Sequence, residues 1–256
     1  MKELIIKELH QIEAEQDVKI LYACESGSRA WGFPSANSDY DVRFIYLHSQ
    51  EWYLSIDLEK KRDVIERPIT DDLDISGWDL RKSLQLFRRS NPPLMEWLGS
   101  PIVYWEQFTV AEQMRQLMPS FYNRKALSYH YWHMAKGNFR DYLQGDTVWV
   151  KKYFYVLRPL LAMQWLEKDL GLVPTEFQTM VEKVGLEPSL KAAIYRLIEE
   201  KKMGSELDRG PRIDTISEFI EAEMARYGEL TFDYDLPKVQ LEQLNTLFRS
   251  ALNEVY

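Results

Sequence analysis

The sequence predicts an α+β fold in which a small β-sheet domain with flanking helices is followed by an all-helical domain. Short apolar or alternating segments, bounded by turn-forming residues, are concentrated before residue 80. From about residue 107 onward, apolar side chains recur instead at helical spacing almost to the end of the chain. The 8 Trp, 15 Tyr and 11 Phe among these 256 residues are enough to fill a sizeable core.

The elements of the first part follow from local patterns. Apolar residues at helical spacing predict a helix over 2–15, and the Gly-, Ser- and Asn-containing segment 25–37 predicts turns. A second helix over 79–90 is predicted to end at Asn91-Pro92-Pro93, because a residue that precedes proline disfavours helical geometry. Strands are predicted at 18–24, 39–47, 63–69 and 73–76.

The second part is predicted to be helical, with long helices at 120–143, 147–169 and 188–203. Its charge is uneven: residues 120–160 hold 7 Lys and Arg against 2 Asp and Glu, between two acidic regions. Two interpretations of this basic stretch stay open, a solvated helix face and a wall that binds phosphates.

Composition excludes several classes of protein. A net charge of -8 argues against a protein that coats nucleic acid with its whole surface. No apolar run approaches the roughly 20 residues of a membrane span, and acidic residues lie where a signal peptide is apolar. Cys24 is the single cysteine, so neither an internal disulfide nor a cysteine-based zinc site can form. We therefore expect a cytoplasmic protein without a membrane partner.

A pair of carboxylates is the most informative feature. Asp39 and Asp41 lie at the start of a predicted strand, where alternation directs both side chains to one face. Two such carboxylates repel each other unless a cation lies between them, and Asp oxygens suit Mg²⁺. Gly27-Ser28 opens a turn after the preceding strand, where backbone and hydroxyl groups can donate to a phosphate. This order of elements predicts a site for phosphoryl or nucleotidyl transfer.

A second metal ion requires a third carboxylate. Asp74 is the preferred candidate, because it lies between apolar residues on a short predicted strand, where an unpaired charge is costly. Asp72 shares its face and is the nearest rival, whereas Asp79 is better interpreted as a helix cap.

These motifs resemble a known superfamily. Gly27-Ser28, ten further residues and then Asp39-Tyr40-Asp41 resemble the signature of the polymerase β-like nucleotidyltransferases, and Leu73-Asp74-Ile75-Ser76 resembles their third-carboxylate strand. A closer similarity, to predicted bacterial and phage nucleotidyltransferases that include RNA-ligase-associated members, extends to residues 153–161. It is carried by the sequences Gly-Ser-Arg-Ala-Trp-Gly-Phe (27–33), Trp78-Asp79-Leu80-Arg81-Lys82, Asn91-Pro92 and Glu96-Trp97-Leu98-x-Ser100-Pro101.

The resemblance implies a nucleotidyltransferase domain with a small mixed sheet at 1–105 and a helical domain at 106–256. It implies transfer of a nucleoside monophosphate from an NTP, ATP among them, to an acceptor hydroxyl, with release of pyrophosphate. The acceptor stays open between an RNA 3′ end, a protein hydroxyl and a small molecule. A non-catalytic nucleotide-binding sensor or interaction module on the same fold is the alternative.

In this interpretation Asp39, Asp41 and Asp74 are both the catalytic and the metal-binding residues, with Mg²⁺ as the ion and Mn²⁺ as a substitute. Gly27 and Ser28 orient the phosphates, and Arg29 is near enough to reach one.

Residues of the basic stretch are predicted to complete the nucleotide site, because their spacing places them on shared helix faces. The alternative is that the rings belong to the core and the cations are merely solvated. The first face holds Tyr129, His133, Lys136 and Arg140, and the second holds Lys151, Tyr155 and Arg158.

Overall fold

The computed structural model describes residues 1–70, 72–204, 208–237 and 240–256. The chain forms two compact units. The first comprises Met1–Ala30, Ser38–Tyr122 and Pro237–Tyr256, and the second comprises Trp31–Asn37 and Asn123–Leu236. The functional domains 1–105 and 106–256 stay a prediction. The compact units and the predicted domains assign three segments differently. Residues 31–37 belong to the second unit, and residues 106–122 and 237–256 belong to the first.

The first unit is built on a mixed sheet of five strands. Their order in the sheet is β3-β4-β2-β1-β5, and β2 and β4 are parallel while the other neighbours are antiparallel. The predicted α+β class with a small mixed sheet is thus confirmed. The strands are β1 (Lys19–Glu25), β2 (Tyr40–Leu47), β3 (Val64–Glu66), β4 (Leu73–Asp79) and β5 (Val103–Glu106).

Helices cover both faces of this sheet, which explains why β1 and the second half of β2 are continuously apolar. On one face Ile5, Leu9 and Ile12 pack with strand residues such as Phe44. The opposite face packs against a larger apolar cluster supplied by later helices. The helices of this unit are α1 (Lys2–Gln16), α2 (Gly27–Ala30), α3 (Gln50–Tyr53), α4 (Leu80–Arg88), α5 (Pro92–Leu98), α6 (Val110–Phe121) and α12 (Leu241–Val255).

The Asn91-Pro92-Pro93 sequence both follows one helix and begins the next. Asn91 caps α5 by accepting a hydrogen bond from the Leu94 amide at 3.1 Å, and Pro92 occupies the first helical position. The prediction that a helix ends before these residues is correct for α4, but the helix α5 that begins at Pro92 was not predicted. The short strand β5 was missed as well.

In its described residues, the second unit consists of helices, connecting loops and an antiparallel ribbon of two short strands. The helix predicted from residue 147 is wrong at its start, because 147–149 form the first ribbon strand and the helix begins at Lys152. The elements of this unit are α7 (Arg124–Tyr142), β6 (Thr147–Trp149), α8 (Lys152–Glu167), α9 (Phe177–Lys183), α10 (Pro188–Lys202), β7 (Arg209–Pro211) and α11 (Asp214–Glu229).

The segment 31–37 is anchored in the second unit by its aromatic side chains. Phe33 stacks on Phe154 of α8 with ring centroids 4.5 Å apart and meets Phe177 edge-on at 5.5 Å. The backbone carbonyl of Trp31 accepts a hydrogen bond from the Phe177 amide at 3.0 Å. Trp31 and Phe33 therefore serve packing within the second unit.

Among the described residues, none of the helices combines the length and the apolar character that crossing a bilayer requires.

Candidate active site

Two of the predicted carboxylates lie side by side on the sheet. Asp41 and Asp74 are register partners on the parallel strands β2 and β4, each the second residue of its strand. Each side chain is 30% exposed. The Tyr40 amide donates to the Asp72 carbonyl at 2.6 Å, so the two strands begin together. Parallel pairing therefore brings two negative charges to one edge of the sheet.

A guanidinium group lies between these carboxylates. Arg43 Nη2 is 2.7 Å from Asp74 Oδ2 and 3.3 Å from Asp41 Oδ1. Arg43 Nη1 also donates to the carbonyls of Val42 at 3.0 Å and Asp74 at 3.1 Å. Arg43 was not predicted as a site residue, although the two-residue period of a strand directs its side chain to the same face as that of Asp41.

The turn after β1 lies directly against Asp41. Gly27 has φ +58°, and a Cβ atom at this position would lie 2.1 Å from Asp41 Oδ2. The preceding Ser26 amide donates to the Asp41 carbonyl at 2.8 Å. Only glycine accommodates both this backbone conformation and this close approach. The half-buried Ser28 follows in the first turn of α2.

A buried glutamate, Glu25, which was not predicted as a site residue, accepts a hydrogen bond from the backbone of Asp41. Glu25 at the end of β1 is 0% exposed. Its Oε1 accepts from the Asp41 amide at 2.7 Å, and its Oε2 accepts from the Tyr104 hydroxyl. Burial raises the pKa of Glu25, while the Tyr104 hydrogen bond opposes that rise. The available signal was a glutamate closing an otherwise apolar strand.

Asp39 is placed differently from the expectation. The strand begins at Tyr40, one residue later than predicted, so Asp39 precedes it with an exposed side chain and strand alternation does not by itself assign Asp39 to the face of Asp41. Arg29 holds this backbone, donating from Nε to the Asp39 carbonyl at 3.1 Å and from Nη2 to the Ser38 carbonyl at 2.7 Å. The Arg29 guanidinium carbon also lies 3.6 Å from the centroid of the Tyr40 ring.

The two alternative candidates for the third carboxylate, Asp72 and Asp79, lie elsewhere. Asp72 is exposed and precedes β4. Asp79 lies at the far end of β4, where its Oδ1 accepts from the Arg81 amide at 2.8 Å and caps α4. The predicted capping role of Asp79 is therefore confirmed.

The donor set at Asp41 and Asp74 suits a hard divalent cation. Both groups are carboxylates, whose oxygens suit such an ion, and glycine at position 27 lets the turn approach Asp41 closely. The Arg43 guanidinium supplies positive charge between the two carboxylates. Within the part of the chain that the structure describes, however, no group of three or more His, Cys, Asp or Glu side chains is arranged to hold a metal ion. The structure thus brings two of the three predicted carboxylates, Asp41 and Asp74, together on neighbouring strands.

The predicted nucleotide-binding residues of the second unit differ in exposure. Lys136 and Lys151 are exposed, and Lys151 precedes the first residue of α8. Tyr129 is partly exposed and meets the Phe232 ring edge-on at 5.0 Å. Arg158 is 3% exposed inside α8, with its guanidinium carbon 5.0 Å from the Trp31 ring. Lys151 and Arg158 therefore do not share one solvent-facing surface.

Comparison with known proteins defines the class. The family model described as RlaP, RNA repair pathway DNA polymerase beta family, matches residues 1–250, so the chain belongs to this family. The expected membership of the polymerase β-like nucleotidyltransferases is thereby confirmed.

Two individual proteins are similar to the chain. A Bacillus subtilis (strain 168) protein, "Uncharacterized protein YcgL", is 53% identical over 257 residues, which cover 100% of this chain and 98% of that protein. A crystal structure of a nucleotidyltransferase-like protein from Exiguobacterium sibiricum 255-15 aligns with 95% of this chain and 87% of its own, at 12% identity and a TM-score of 0.29.

Proposed function

We propose that the protein is a metal-dependent nucleotidyltransferase, which moves a nucleoside monophosphate from an NTP to an acceptor hydroxyl and releases pyrophosphate. The observation that carries this proposal is the register pairing of Asp41 with Asp74 beside the Gly27 turn. Membership of the polymerase β family supports the same reaction class.

Asp41 and Asp74 would hold a Mg²⁺ or Mn²⁺ ion, and Asp39 remains the proposed third ligand. When bound, such an ion neutralises phosphate charge and lowers the pKa of the acceptor hydroxyl. The residues of the chain supply the rest. Gly27 and Ser28 offer donors to the phosphates, and the Glu25 hydrogen bond holds the Asp41 backbone in place.

No protein nucleophile is needed in this mechanism, because orientation and charge neutralisation supply most of the rate of phosphoryl transfer. Arg29 acts here by fixing the Asp39 backbone, since both carbonyl groups that it binds flank that residue.

We propose an RNA end as the acceptor, since the family description refers to an RNA repair pathway. Lys136 and Lys151, with Tyr129, are the proposed contacts for nucleotide or RNA, because exposed cations and a ring suit phosphates and bases. The burial of Arg158 supports a packing role for that residue instead.

The test is transfer of label from an α-labelled NTP in the presence of Mg²⁺, to RNA with a free 3′ hydroxyl and to a panel of other acceptors. Asp41→Asn and Asp74→Asn each abolish transfer, whereas Asp72→Asn, an exposed carboxylate two residues from Asp74, retains it. Label transfer by purified Asp41→Asn protein at the wild-type rate contradicts the proposal. If Asp72→Asn loses label transfer and Asp74→Asn retains it, the role proposed for Asp74 belongs to Asp72 instead.

One observation favours a second candidate, a nucleotide-binding module without turnover. Arg43 already pairs with both carboxylates, so they are compensated without a metal ion. Two measurements distinguish the candidates, calorimetry for NTP binding and an assay for pyrophosphate release in the presence of the acceptor panel. The module binds NTP and releases no pyrophosphate with any acceptor, whereas the enzyme releases it.

A further inference from the structure

The Arg43 guanidinium lies between the two carboxylates that would hold the metal ion. Its Nη2 donates to one oxygen of each, at 2.7 Å to Asp74 and 3.3 Å to Asp41. The Arg43 side chain is 18% exposed, and the partial burial of all three groups strengthens their attraction relative to a surface ion pair. A metal ion that uses these same oxygens must compete with the guanidinium.

We infer that Arg43 is a positioning residue that gates metal entry and couples it to nucleotide binding. This inference rests on the proposed function. In the metal-free protein Arg43 holds Asp41 and Asp74 together and weakens the binding of a metal ion on its own. With Asp41 and Asp74 engaged by a metal ion, the Arg43 guanidinium would leave both carboxylates and could donate to a phosphate oxygen of the NTP.

The charges explain why the two binding events are coupled. Two carboxylates and one guanidinium carry a net charge of about -1 at neutral pH, and addition of a divalent ion changes this to about +1. The positive cluster attracts the strongly anionic triphosphate, and the planar guanidinium suits two phosphate oxygens at once. Metal alone is therefore bound weakly, whereas metal and NTP strengthen each other's binding.

The β2–β4 pairing keeps this exchange local. Arg43 is the register partner of Ser76, two pairs beyond Asp41 and Asp74 and therefore on the same face of the sheet. Its backbone belongs to a central strand of the sheet, so only the side chain has to move. The guanidinium can leave both carboxylates by rotation about side-chain bonds, without a change in strand register.

The test measures Mn²⁺ binding to the full chain by electron paramagnetic resonance, without and with a non-hydrolysable NTP. In Arg43→Gln the affinity for Mn²⁺ alone rises about tenfold, within the usual range of coupling between sites, while NTP affinity in the presence of Mn²⁺ falls. A purely structural role of Arg43 does not move these two affinities in opposite directions. Arg43→Lys keeps one charge but cannot span both carboxylates, so its affinities lie between those of Arg43→Gln and wild type.

Thermal unfolding gives a second readout and guards against a folding defect. Arg43→Gln has a lower melting temperature without metal and a larger increase on addition of Mn²⁺ than wild type. If Arg43→Gln does not fold, the intermediate behaviour of Arg43→Lys still decides the question.

The control variant Asp41→Asn separates this inference from the proposed function. If Asp41→Asn abolishes Mn²⁺ binding and Arg43→Gln leaves both affinities at wild-type values, the gating role is wrong and the metal site stands. If neither wild type nor Arg43→Gln binds Mn²⁺ with NTP present, both the metal site and the gate are wrong.

Discussion

Asp79 offers a prediction whose size follows from its surroundings. The residue is 1% exposed at the end of β4, and its two oxygens accept from the Tyr53 hydroxyl at 2.5 Å and from the Arg81 amide at 2.8 Å. Burial raises the pKa of Asp79 from 3.8 to about 6, although the two hydrogen bonds favour the charged form. Ionising this group therefore costs more in the folded chain than in the unfolded chain.

The sign of the pH dependence follows directly. Between pH 3.8 and about 6 the folded protein retains a proton on Asp79 that the unfolded chain has lost. The free energy of unfolding therefore falls as the pH rises through this window, by about 3 kcal/mol in full. Asp79→Asn cannot ionise and keeps an oxygen that can cap α4. Its stability relative to wild type should improve by about this amount between pH 4 and pH 7.

The assay is urea denaturation of wild type and Asp79→Asn at intervals from pH 4 to pH 7.5. His48 acts in the opposite direction, since burial and Lys61 lower its pKa to about 4, but its contribution is common to both proteins and cancels in their difference. Asp57→Asn, whose native side chain is 69% exposed, is the matched control for exchanging a carboxyl for an amide at the surface. A flat difference for Asp79→Asn would refute the argument from burial.

Two further predictions concern packing. Gly77→Ala places a Cβ 2.2 Å from Phe44 Cε2, between β2 and β4. We expect the free energy of unfolding, measured by urea denaturation, to fall by about 1–3 kcal/mol. Ser76→Ala on the same strand is the matched control, and a stability of Gly77→Ala within error of wild type would contradict the close contact. Arg158→Lys loses the planar contact with Trp31 and the 3.4 Å hydrogen bond to the Thr175 carbonyl, so the melting temperature falls. Lys136 and Lys151 are exposed, so Lys136→Ala and Lys151→Ala should keep the wild-type melting temperature and weaken NTP or RNA binding. A lower melting temperature with unchanged binding would indicate a packing role for these lysines instead.

The strands of the site could be predicted because their sequences carry strong local signals. Apolar runs gave β1 and most of β2, and a short alternating segment gave β4. By contrast, β5 is a four-residue strand with half-exposed or exposed side chains, and α5 was hidden by two prolines that were interpreted as a stop signal. Short elements at an edge take their structure from pairing and capping, which a single sequence shows weakly.

The site residues divide in the same way. The sequence could single out Gly27, Asp41 and Asp74 as candidates because residue type and strand position are local. Glu25 and Arg43 act through contacts with other strands, so their roles depend on strand pairing. Asp39 was aligned with Asp41 on the assumption that the strand began one residue earlier than it does, which shows how sensitive a face assignment is to one boundary. Its role as a metal ligand stays a prediction.

The parallel pairing of β2 and β4 also affects how such sites change during evolution. Hydrogen bonding between the strands sets the separation of Asp41 and Asp74. Exposed positions in the described part of the crossover that joins them, such as 56 and 57, can therefore gain or lose residues without moving either carboxylate. A search that fixes the number of residues between the two acids would overlook relatives with a longer or shorter crossover. A search that asks for an acid at the second position of two neighbouring parallel strands would retain them.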